Sequence, residues 1–345
     1  MANQLSIARE LGVTQATVSM ALRNHPRVSE DVRRRVREAA EKSGYRPNPS
    51  VVSLMSHIRN GRAVKEHGCI GILVDAASEE KWLELARETY SDHLGGHRKE
   101  ATRHGYRAEC FFLRAPGVSP EIIDRRLRAR GIRGLILAMP RLANVYPGIN
   151  VCWDNYACAA VGSEWLEIAV DRVLPHFSQN MRLAFSALLQ RGCRRIGFCQ
   201  PTPAMPRKVP SDWMAGFLEW QWEYNELPGL KPFVGTIHET TEADFRAWFR
   251  RWKPDGLITI IGDEAPRLRA MGVRLRGVDA DACDRRALQV VCVNRPHNSP
   301  FPGVDANNEL IGRKACETVV NQLIHNRHGL PEHPNEILVP GRWME

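Results

Sequence analysis

Long apolar runs are missing from the sequence. The 345 residues contain no stretch of 18 apolar residues, which is roughly the length that a helix needs to cross a membrane. The first five residues include neither a basic segment nor an apolar one, so they are unlike the start of a secretory signal. We therefore expect a cytoplasmic protein with no membrane partner.

Cysteine occurs without the spacing of a metal site. The nine cysteines include no Cys-x-x-Cys pair, and their odd number argues against a disulfide framework. His93 and His97 are four residues apart, and His325 and His328 are three apart, so each pair could share a helix face. Neither pair has a cysteine or a carboxylate placed to complete a ligand set. We interpret both pairs as surface histidines and expect no bound metal.

Signatures of catalysis are missing as well. The chain has no Gly-x-Gly-x-x-Gly after its first apolar strand and no Walker A lysine loop, so neither common phosphate-binding loop is present. It also has no His-Glu-x-x-His and no Gly-x-Ser-x-Gly, which would supply a catalytic metal or a nucleophile. We expect a protein that is not an enzyme and that holds no cofactor.

Positive charge is concentrated at one end of the chain. Residues 1–65 contain 12 Lys and Arg residues against 5 Asp and Glu residues, whereas residues 66–345 are nearly neutral. Such an asymmetry is typical of a head that binds a polyanion, joined to a body that does not. On the charge distribution alone, a solvated basic surface without a partner stays an alternative.

Three short helices are predicted within residues 5–46. Apolar residues recur at helical spacing in the first of them, and Gly12 is placed to end it. Thr14 is placed to cap a second helix that starts at Gln15, and Ser29 is placed to cap a third. Two short helices joined by a tight glycine-containing turn form a helix-turn-helix, whose second helix enters the major groove of DNA.

Three segments of this region resemble the headpiece of the LacI/GalR (lactose-repressor) family. They are Ser6–Ser19 (SIARELGVTQATVS), Arg27–Glu30 (RVSE) and Ala39–Asn48 (AAEKSGYRPN). The segments also match the family's spacings, so the resemblance is far more specific than a lone Ala-Thr-Val-Ser. It implies a DNA-binding transcription regulator, a repressor, that binds a pseudo-palindromic operator in double-stranded DNA as a homodimer.

The resemblance also implies roles for single residues. In the family, residues at the start and middle of the second helix read base edges, and here these are Gln15, Ala16 and Met20. Gln15 can bond adenine bidentately, Ala16 can touch a thymine methyl, and Met20 favours an apolar edge. Core packing is the alternative role of Met20. The implied phosphate contacts, which set the register, are Thr14, Thr17, Ser19, Asn24 and Ser29.

A short hinge helix is expected after the headpiece. Asn48 is a candidate N-cap and Pro49 occupies the first helical position, so residues 50–58 can form a helix. In the family this helix inserts a leucine into the minor groove at the operator centre, and Leu54 occupies the matching position. Val51 stands where the family usually has alanine. Packing between two subunits is the alternative role of Leu54.

Apolar strands alternate with amphipathic helices from Cys69 onward. This alternation favours parallel sheets with helices on both faces, and the resemblance implies a periplasmic-binding-protein-like body. The predicted fold class is α/β, with an all-α helix-turn-helix headpiece and a body of two doubly wound parallel-sheet subdomains. The predicted strands are 69–74, 106–113, 134–139, 195–199, 256–261 and 288–293. The predicted domains are the headpiece 1–48, the hinge and linker 49–67 and the body 68–345, with an N-subdomain of 68–171 plus 297–326 and a C-subdomain of 172–296 plus 327–345.

An effector site is expected in the cleft between the two subdomains. Ligands bind beyond the carboxyl ends of parallel strands, and Asp75, Asp263 and Asn294 each follow a predicted strand. Capping or turn roles are the alternative for each. The resemblance adds His176, where the family often has an aspartate, and Trp213, where it often has an effector-binding arginine. A tryptophan face could stack on a sugar or an aromatic ligand, or could instead fill the cleft.

We expect a small-molecule effector, with a sugar as the first candidate. Two other interpretations stay open. One is a DNA-binding regulator whose cleft is collapsed around Trp213 and senses no small molecule. The other is a solute-binding protein that uses the same body fold for transport, which the basic head and the missing signal segment both oppose.

Overall fold

The computed structural model divides into two compact units, Met1–His67 and Gly68–Glu345, which we treat separately. We call the first the head and the second the body. None of the helices in the part of the chain that the structure describes is long and apolar enough to cross a membrane. The described residues are 4–22, 28–43, 68–84, 87–139, 149–163, 168–201, 212–235, 242–281, 284 and 286–345.

The described residues of the head form three helices, as the sequence predicts. Gly12 ends the first helix with a φ of +66°, a conformation that costs glycine little. Thr14 Oγ1 accepts a hydrogen bond from the Thr17 amide at 3.1 Å, and Ser29 Oγ accepts one from the Val32 amide at 3.5 Å. Both predicted capping residues therefore satisfy amides at the starts of helices. The helices are α1 Gln4–Leu11, α2 Gln15–Leu22 and α3 Glu30–Lys42.

A small apolar core joins the three helices of the head. Ile7 of α1, Val18 of α2 and Val36 of α3 are at most 1% exposed, and burying one such side chain contributes roughly 1.5–3 kcal/mol. Because this core lies within consecutive helices, it follows from the helical spacing of apolar residues. Its other buried members are Ala8, Ala21, Val28, Ala39 and Ala40.

The first lobe of the body is a parallel sheet with helices on both faces. Its strands are β1 Gly68–Val74, β2 Tyr106–Phe112, β3 Gly134–Leu137, β4 Ala157–Val161, β5 Asp171–Pro175 and β11 Glu336–Val339. Their order is β11-β5-β4-β3-β1-β2, and every neighbouring pair is parallel. One buried apolar cluster lies on each face of the sheet. The helices of this lobe are α4 Glu79–Leu83, α5 Arg87–Arg103, α6 Pro120–Ala129 and α11 Asn308–Ile324.

The second lobe repeats this architecture. Its strands are β6 Ile196–Pro201, β7 Phe233–Gly235, β8 Gly256–Thr259, β9 Gln289–Cys292, β10 Gly303–Asp305 and β12 Arg342–Met344. Their order is β12-β10-β9-β8-β6-β7, and every pair is parallel except β10 with β12. Two helix-covered sheets of this kind confirm the predicted fold class. The helices of this lobe are α7 Phe177–Gln190, α8 Asp212–Glu223, α9 Glu242–Trp252 and α10 Ala265–Ala270.

The chain passes between the two lobes three times. It does so between β5 and α7, between β10 and α11, and between β11 and β12. The subdomain boundaries predicted from the sequence put these passages near residues 171, 296 and 326. According to the strand pairing, each passage lies further toward the C-terminus than predicted. The reason is that β5, β10 and β11 are short strands, whose membership of a sheet is set by partners distant in the chain.

Helices α5 and α11 pack so closely that their contact requires glycine. A Cβ atom at Gly312 would lie 2.2 Å from the carbonyl oxygen of His93, and one at Gly96 would lie 2.2 Å from that of Glu309. His93 and His97 lie on α5 in this contact and are at most 1% exposed. The prediction that they are surface histidines was therefore wrong, because helical spacing does not reveal which face another helix covers.

The buried histidines are held in their neutral form. Burial lowers the pKa of His93 to about 3 and the pKa of His97 to about 4, since desolvation disfavours the charged ring. His97 Nδ1 lies 2.7 Å from the carbonyl oxygen of Gly312, so this nitrogen carries the proton and donates it. In the other predicted pair, His325 is exposed and His328 is half-buried.

Candidate DNA-binding and effector sites

Helix α2 of the head exposes two of the three residues that were predicted to contact bases. Gln15 and Ala16 are exposed at its start, while Val18 and Ala21 are buried in the head core. The exposed pair can therefore contact base edges without any change in the packing of the helix. Met20 is half-buried and packs against the head core, which corresponds to the alternative role considered for it.

Hydroxyl groups at the helix starts are placed for phosphate contacts. Thr14 Oγ1 and Thr17 Oγ1 are 2.8 Å apart, so one hydroxyl donates to the other and the pair keeps one O–H donor. Ser29 Oγ accepts from a helix amide, and a hydroxyl that accepts still has its own proton to donate. Ser19 is half-buried on α2. Capping and phosphate binding are thus compatible in the same side chains.

Part of the positive charge of the head is compensated within α3. Arg33 lies 3.0 Å from Glu30, and Arg34 lies 2.7 Å from Asp31. Such exposed pairs contribute little to stability, but they reduce the charge that this helix offers to a polyanion. The predicted contacts that lie outside the described residues, and so stay predictions, are Asn24, Val51 and Leu54.

At the carboxyl edge of the first-lobe sheet, a buried aspartate pairs with a partly exposed arginine. Asp75 directly follows β1, as predicted, but its side chain is fully buried and accepts hydrogen bonds from Arg114 Nε at 2.5 Å and Nη2 at 3.1 Å. The side chain of Arg114 is 38% exposed. Sequence reasoning missed Arg114, although it follows the predicted strand 106–113 just as Asp75 follows β1.

His176 and Trp213 are brought together near the passage from β5 to α7. His176 Nδ1 accepts a hydrogen bond from the Gln179 amide at 3.3 Å, which caps α7. The ring of Trp213, on α8, meets the ring of Phe177 edge-on with centroids 4.7 Å apart. Both predicted effector residues therefore already have structural partners, and each keeps part of its surface exposed.

Asn294 and Asp263 follow strands of the second lobe, as predicted. Asn294 Nδ2 donates to Thr89 Oγ1 of α5 at 3.1 Å, and Asn294 Oδ1 accepts from Asn308 Nδ2 at 2.8 Å, so Asn294 joins the two lobes. Asp263 is exposed after β8. The next residue, Glu264, is buried, and this burial together with the nearby Asp263 raises its pKa to about 8.

Further hydrogen bonds cross between the lobes. Ser163 Oγ, beyond β4, donates to Asp212 Oδ2 at the start of α8, at 2.5 Å. The amide of His297, beyond β9, donates to Glu88 Oε2 of α5 at 2.8 Å, and His297 Nε2 lies 3.0 Å from Asp92 Oδ2. Burial raises the pKa of Asp92. The carboxyl edges of the two sheets are thus connected by polar contacts.

Metal and thiol chemistry find little support in the described part of the body. No three His, Cys, Asp or Glu side chains lie together there in a way that could hold a metal ion. Burial raises the pKa of the Cys110 and Cys292 thiols to about 11. Because the thiolate is the reactive form of cysteine, these protonated thiols are poor nucleophiles at neutral pH.

Residues 5–48 match the family model of bacterial regulatory proteins, lacI family. The chain is also 32% identical over 200 residues to the uncharacterized HTH-type transcriptional regulator YkvZ of Bacillus subtilis (strain 168), which covers 58% of this chain and 56% of that protein. This chain covers at most 56% of the length of each curated relative that it matches. Three of these relatives are named HTH-type transcriptional regulators.

Solved structures share the fold of the whole chain. A complex of the transcriptional regulator CelR with cellobiose matches with a TM-score of 0.58 and 18% identity, over 100% of this chain and 99% of that one. A Lac repressor dimer bound to operator and to the anti-inducer ONPF matches with a TM-score of 0.57 and 16% identity, over 100% and 98%. At this level of identity the two structures establish the shared fold alone.

Proposed function

We propose that the chain is a cytoplasmic transcription repressor of the LacI family that binds a pseudo-palindromic operator as a homodimer. A small molecule bound between the lobes of the body controls this binding. The observation that carries the proposal is the surface of α2, where Gln15 and Ala16 are exposed in a head that matches the family over residues 5–48.

Base reading and phosphate binding are divided between two sets of residues in this proposal. Side chains on the exposed surface of α2 contact base edges in the major groove, which gives specificity. Hydroxyls at the helix starts bond phosphates, which sets the register of the head on the duplex. The base-reading residues are Gln15, Ala16 and Met20, the phosphate contacts are Thr14, Thr17, Ser19, Asn24 and Ser29, and the minor-groove contacts are Leu54 and Val51.

A homodimer suits a head of this size. A single short helix contacts only a few base pairs, whereas two heads related by a two-fold axis read both halves of a pseudo-palindrome. Support comes from the Lac repressor structure of similar fold, which is a dimer bound to operator. An operator with two half-sites is therefore the expected target.

The carboxyl edges of the two sheets offer the chemistry of a polar effector, with a sugar as the first candidate. The side chain of Arg114, which pairs with Asp75 and is 38% exposed, brings positive charge to this edge, and the ring of Trp213 supplies a surface on which a sugar can stack. The CelR structure of similar fold contains cellobiose. The other proposed effector contacts are His176, Asp263 and Asn294.

A regulator without an effector is the second candidate, and the contacts between the lobes favour it. Ser163 bonds Asp212 and Asn294 bonds Thr89 across the two lobes, so side chains of the protein itself join the lobes. In this case Trp213 serves packing alone. The two candidates differ in whether any small molecule stabilises the body.

Selection from a random DNA library tests the DNA-binding part of the proposal. The purified full chain is incubated with 20-base-pair random duplexes flanked by fixed arms, and the bound fraction is amplified and sequenced. We expect enrichment of a pseudo-palindrome with two equivalent half-sites. Failure to enrich any sequence would contradict operator binding, and enrichment of a single half-site would contradict the dimer.

A thermal-shift screen against sugars, sugar phosphates and purines tests the effector. A ligand that binds only the folded protein at 100 times its Kd adds about 2.7 kcal/mol to the free energy of unfolding. The effector should also change operator affinity by about 1–3 kcal/mol. Unchanged melting temperatures across the panel favour the regulator without an effector.

A further inference from the structure

Five arginines cluster on the first lobe, in α6 and the turn that follows it. Residues 125–133 contain five arginines and no acidic residue, although the body as a whole is nearly neutral. All five side chains are exposed. We call this set the arginine patch: Arg125, Arg126, Arg128, Arg130 and Arg133.

Carboxylates compensate only part of the patch. Arg128 pairs with Asp124 at 2.9 Å, and Arg130 pairs with Glu109. The uncompensated members leave this surface of the first lobe with a positive charge that an anion can neutralise. The members that form no ion pair with any described residue are Arg125, Arg126 and Arg133.

The patch ends at the edge of the sheet where the body begins. Gly134, the first residue of β3, pairs with Ile70 of β1. Arg133 therefore lies beside the start of β1, whose first residue is Gly68. The chain that precedes Gly68 is the linker 49–67, which leads to the head.

The linker limits how far DNA held by the head can be from the patch. Its 19 residues, 49–67, span at most about 65 Å when fully extended. The linker sequence contains three basic side chains and one acidic one, and residues 1–65 are strongly basic. The patch thus adds to the positive charge that the head and the linker carry, and a polyanion is the partner whose charge complements all of them.

We propose that the arginine patch binds DNA phosphates flanking the operator, so that the body contributes a second, sequence-independent contact with the duplex. This inference rests on the proposed function of the head. Guanidinium groups bond phosphate oxygens in a planar, often bidentate geometry, and each phosphate contact releases counterions and makes binding depend on salt. The patch adds affinity and salt dependence without adding base specificity.

The experiment compares a short and a long duplex carrying the operator selected by the full chain. One duplex has only the operator, and the other adds 15 base pairs on each side. Affinities are measured by fluorescence anisotropy between 50 and 250 mM salt for wild type and for the triple variant Arg125→Gln, Arg126→Gln, Arg133→Gln. The matched control replaces three exposed arginines of the second lobe: Arg182→Gln, Arg250→Gln and Arg286→Gln.

We expect the patch variant to lose about tenfold or more in affinity for the long duplex at 0.1 M salt, with a salt slope smaller by about 2.7 for three phosphates. The short duplex and the control variant should bind as before, and the melting temperature should not change. Equal slopes for wild type and the patch variant on the long duplex would overturn the inference. So would an equal loss on both duplexes, while failure to select any operator would contradict the proposed function instead.

Discussion

The head and the body hold their functional side chains in different ways. In the head, Gln15 and Ala16 are exposed on a helix whose packing uses other residues. In the body, Asp75 is buried in an ion pair, His176 caps a helix and Asn294 joins the two lobes. A sequence motif predicts the exposed surface of a single helix, because the residues that pack against that helix are close to it in the sequence. Polar groups at a sheet edge depend on partners that are distant in the chain.

Substitutions in the head and in the body should therefore change different quantities. Changes at buried polar or closely packed positions of the body should act on the free energy of unfolding. Changes on the surface of α2 should act on DNA affinity and leave folding intact. Tryptophan fluorescence separates the two units, since all nine tryptophans lie beyond residue 81 and therefore in the body.

The largest expected effect comes from the contact between α5 and α11. Gly312→Ala puts a Cβ atom 2.2 Å from the carbonyl oxygen of His93, so the helices must separate at a cost of about 3 kcal/mol in the free energy of unfolding. Urea unfolding followed by tryptophan fluorescence measures this. The control is Gly95→Ala on α5, where nothing lies within 4 Å. Equal stabilities of the two variants would contradict the close helix contact.

Acid should destabilise the body through its buried histidines. The pKa of His93 is lowered to about 3 and that of His97 to about 4, from 6.5, so between these values the unfolded chain binds more protons. The free energy of unfolding therefore falls as pH drops from 6.5 toward 4, by up to about 1.4 kcal/mol per pH unit for each histidine. Urea midpoints at pH 7, 6 and 5 measure the slope.

His97→Gln should reduce this pH dependence, because it removes one of the two groups. His333→Gln, at a position whose side chain is 91% exposed, should leave it unchanged. A slope as steep in His97→Gln as in the wild type would show that other groups cause the acid sensitivity.

Glu264 should produce the opposite pH dependence. Its pKa is raised from 4.5 to about 8 in the folded body, so the stability present below pH 4.5 is lost as pH rises through 8. Glu264→Gln removes this loss, and the variant should exceed the wild type by about 2 kcal/mol at pH 6 and equal it at pH 4.5. Urea unfolding at both pH values tests this, with the exposed Glu223→Gln as control. A gain in the free energy of unfolding of Glu264→Gln that is the same at both pH values would contradict the raised pKa of Glu264.

The smallest effect on stability is expected at the head surface. Gln15→Ala should weaken operator binding by about 1–3 kcal/mol and relax the preference at one base pair, with no change in the unfolding of the body. Anisotropy titrations against the selected operator and its single-base variants measure both effects. Glu41→Gln, exposed on α3, is the control. A uniform loss on all sequences would assign Gln15 to phosphate binding.

The head was largely predictable from its sequence. The end of α1 at Gly12 and the caps at Thr14 and Ser29 appear where the pattern put them, because helix ends are set by residues within one turn. Met20 was the exception, since only the packed head shows that part of its side chain contacts the core.

The body was predictable in class but not in detail. All six predicted strands exist within a few residues of their predicted bounds. The strands not predicted are short or lack β-branched and aromatic residues: β4 is mostly alanine, and β10 and β12 have three residues each. Such segments become strands only because a partner strand is already in place.

The sequence by itself determined the helices of the head, the alternation of strands and helices in the body and the resemblance of the head to the lacI family, since all three depend on periodicity and local motifs. The tertiary structure alone decided that His93, His97 and Glu264 are buried and that the buried Asp75 pairs with the partly exposed Arg114. Burial and ion pairing depend on which segments, distant in the sequence, pack together. The desolvation free energy of a buried charged group therefore depends on that packing and not on local sequence.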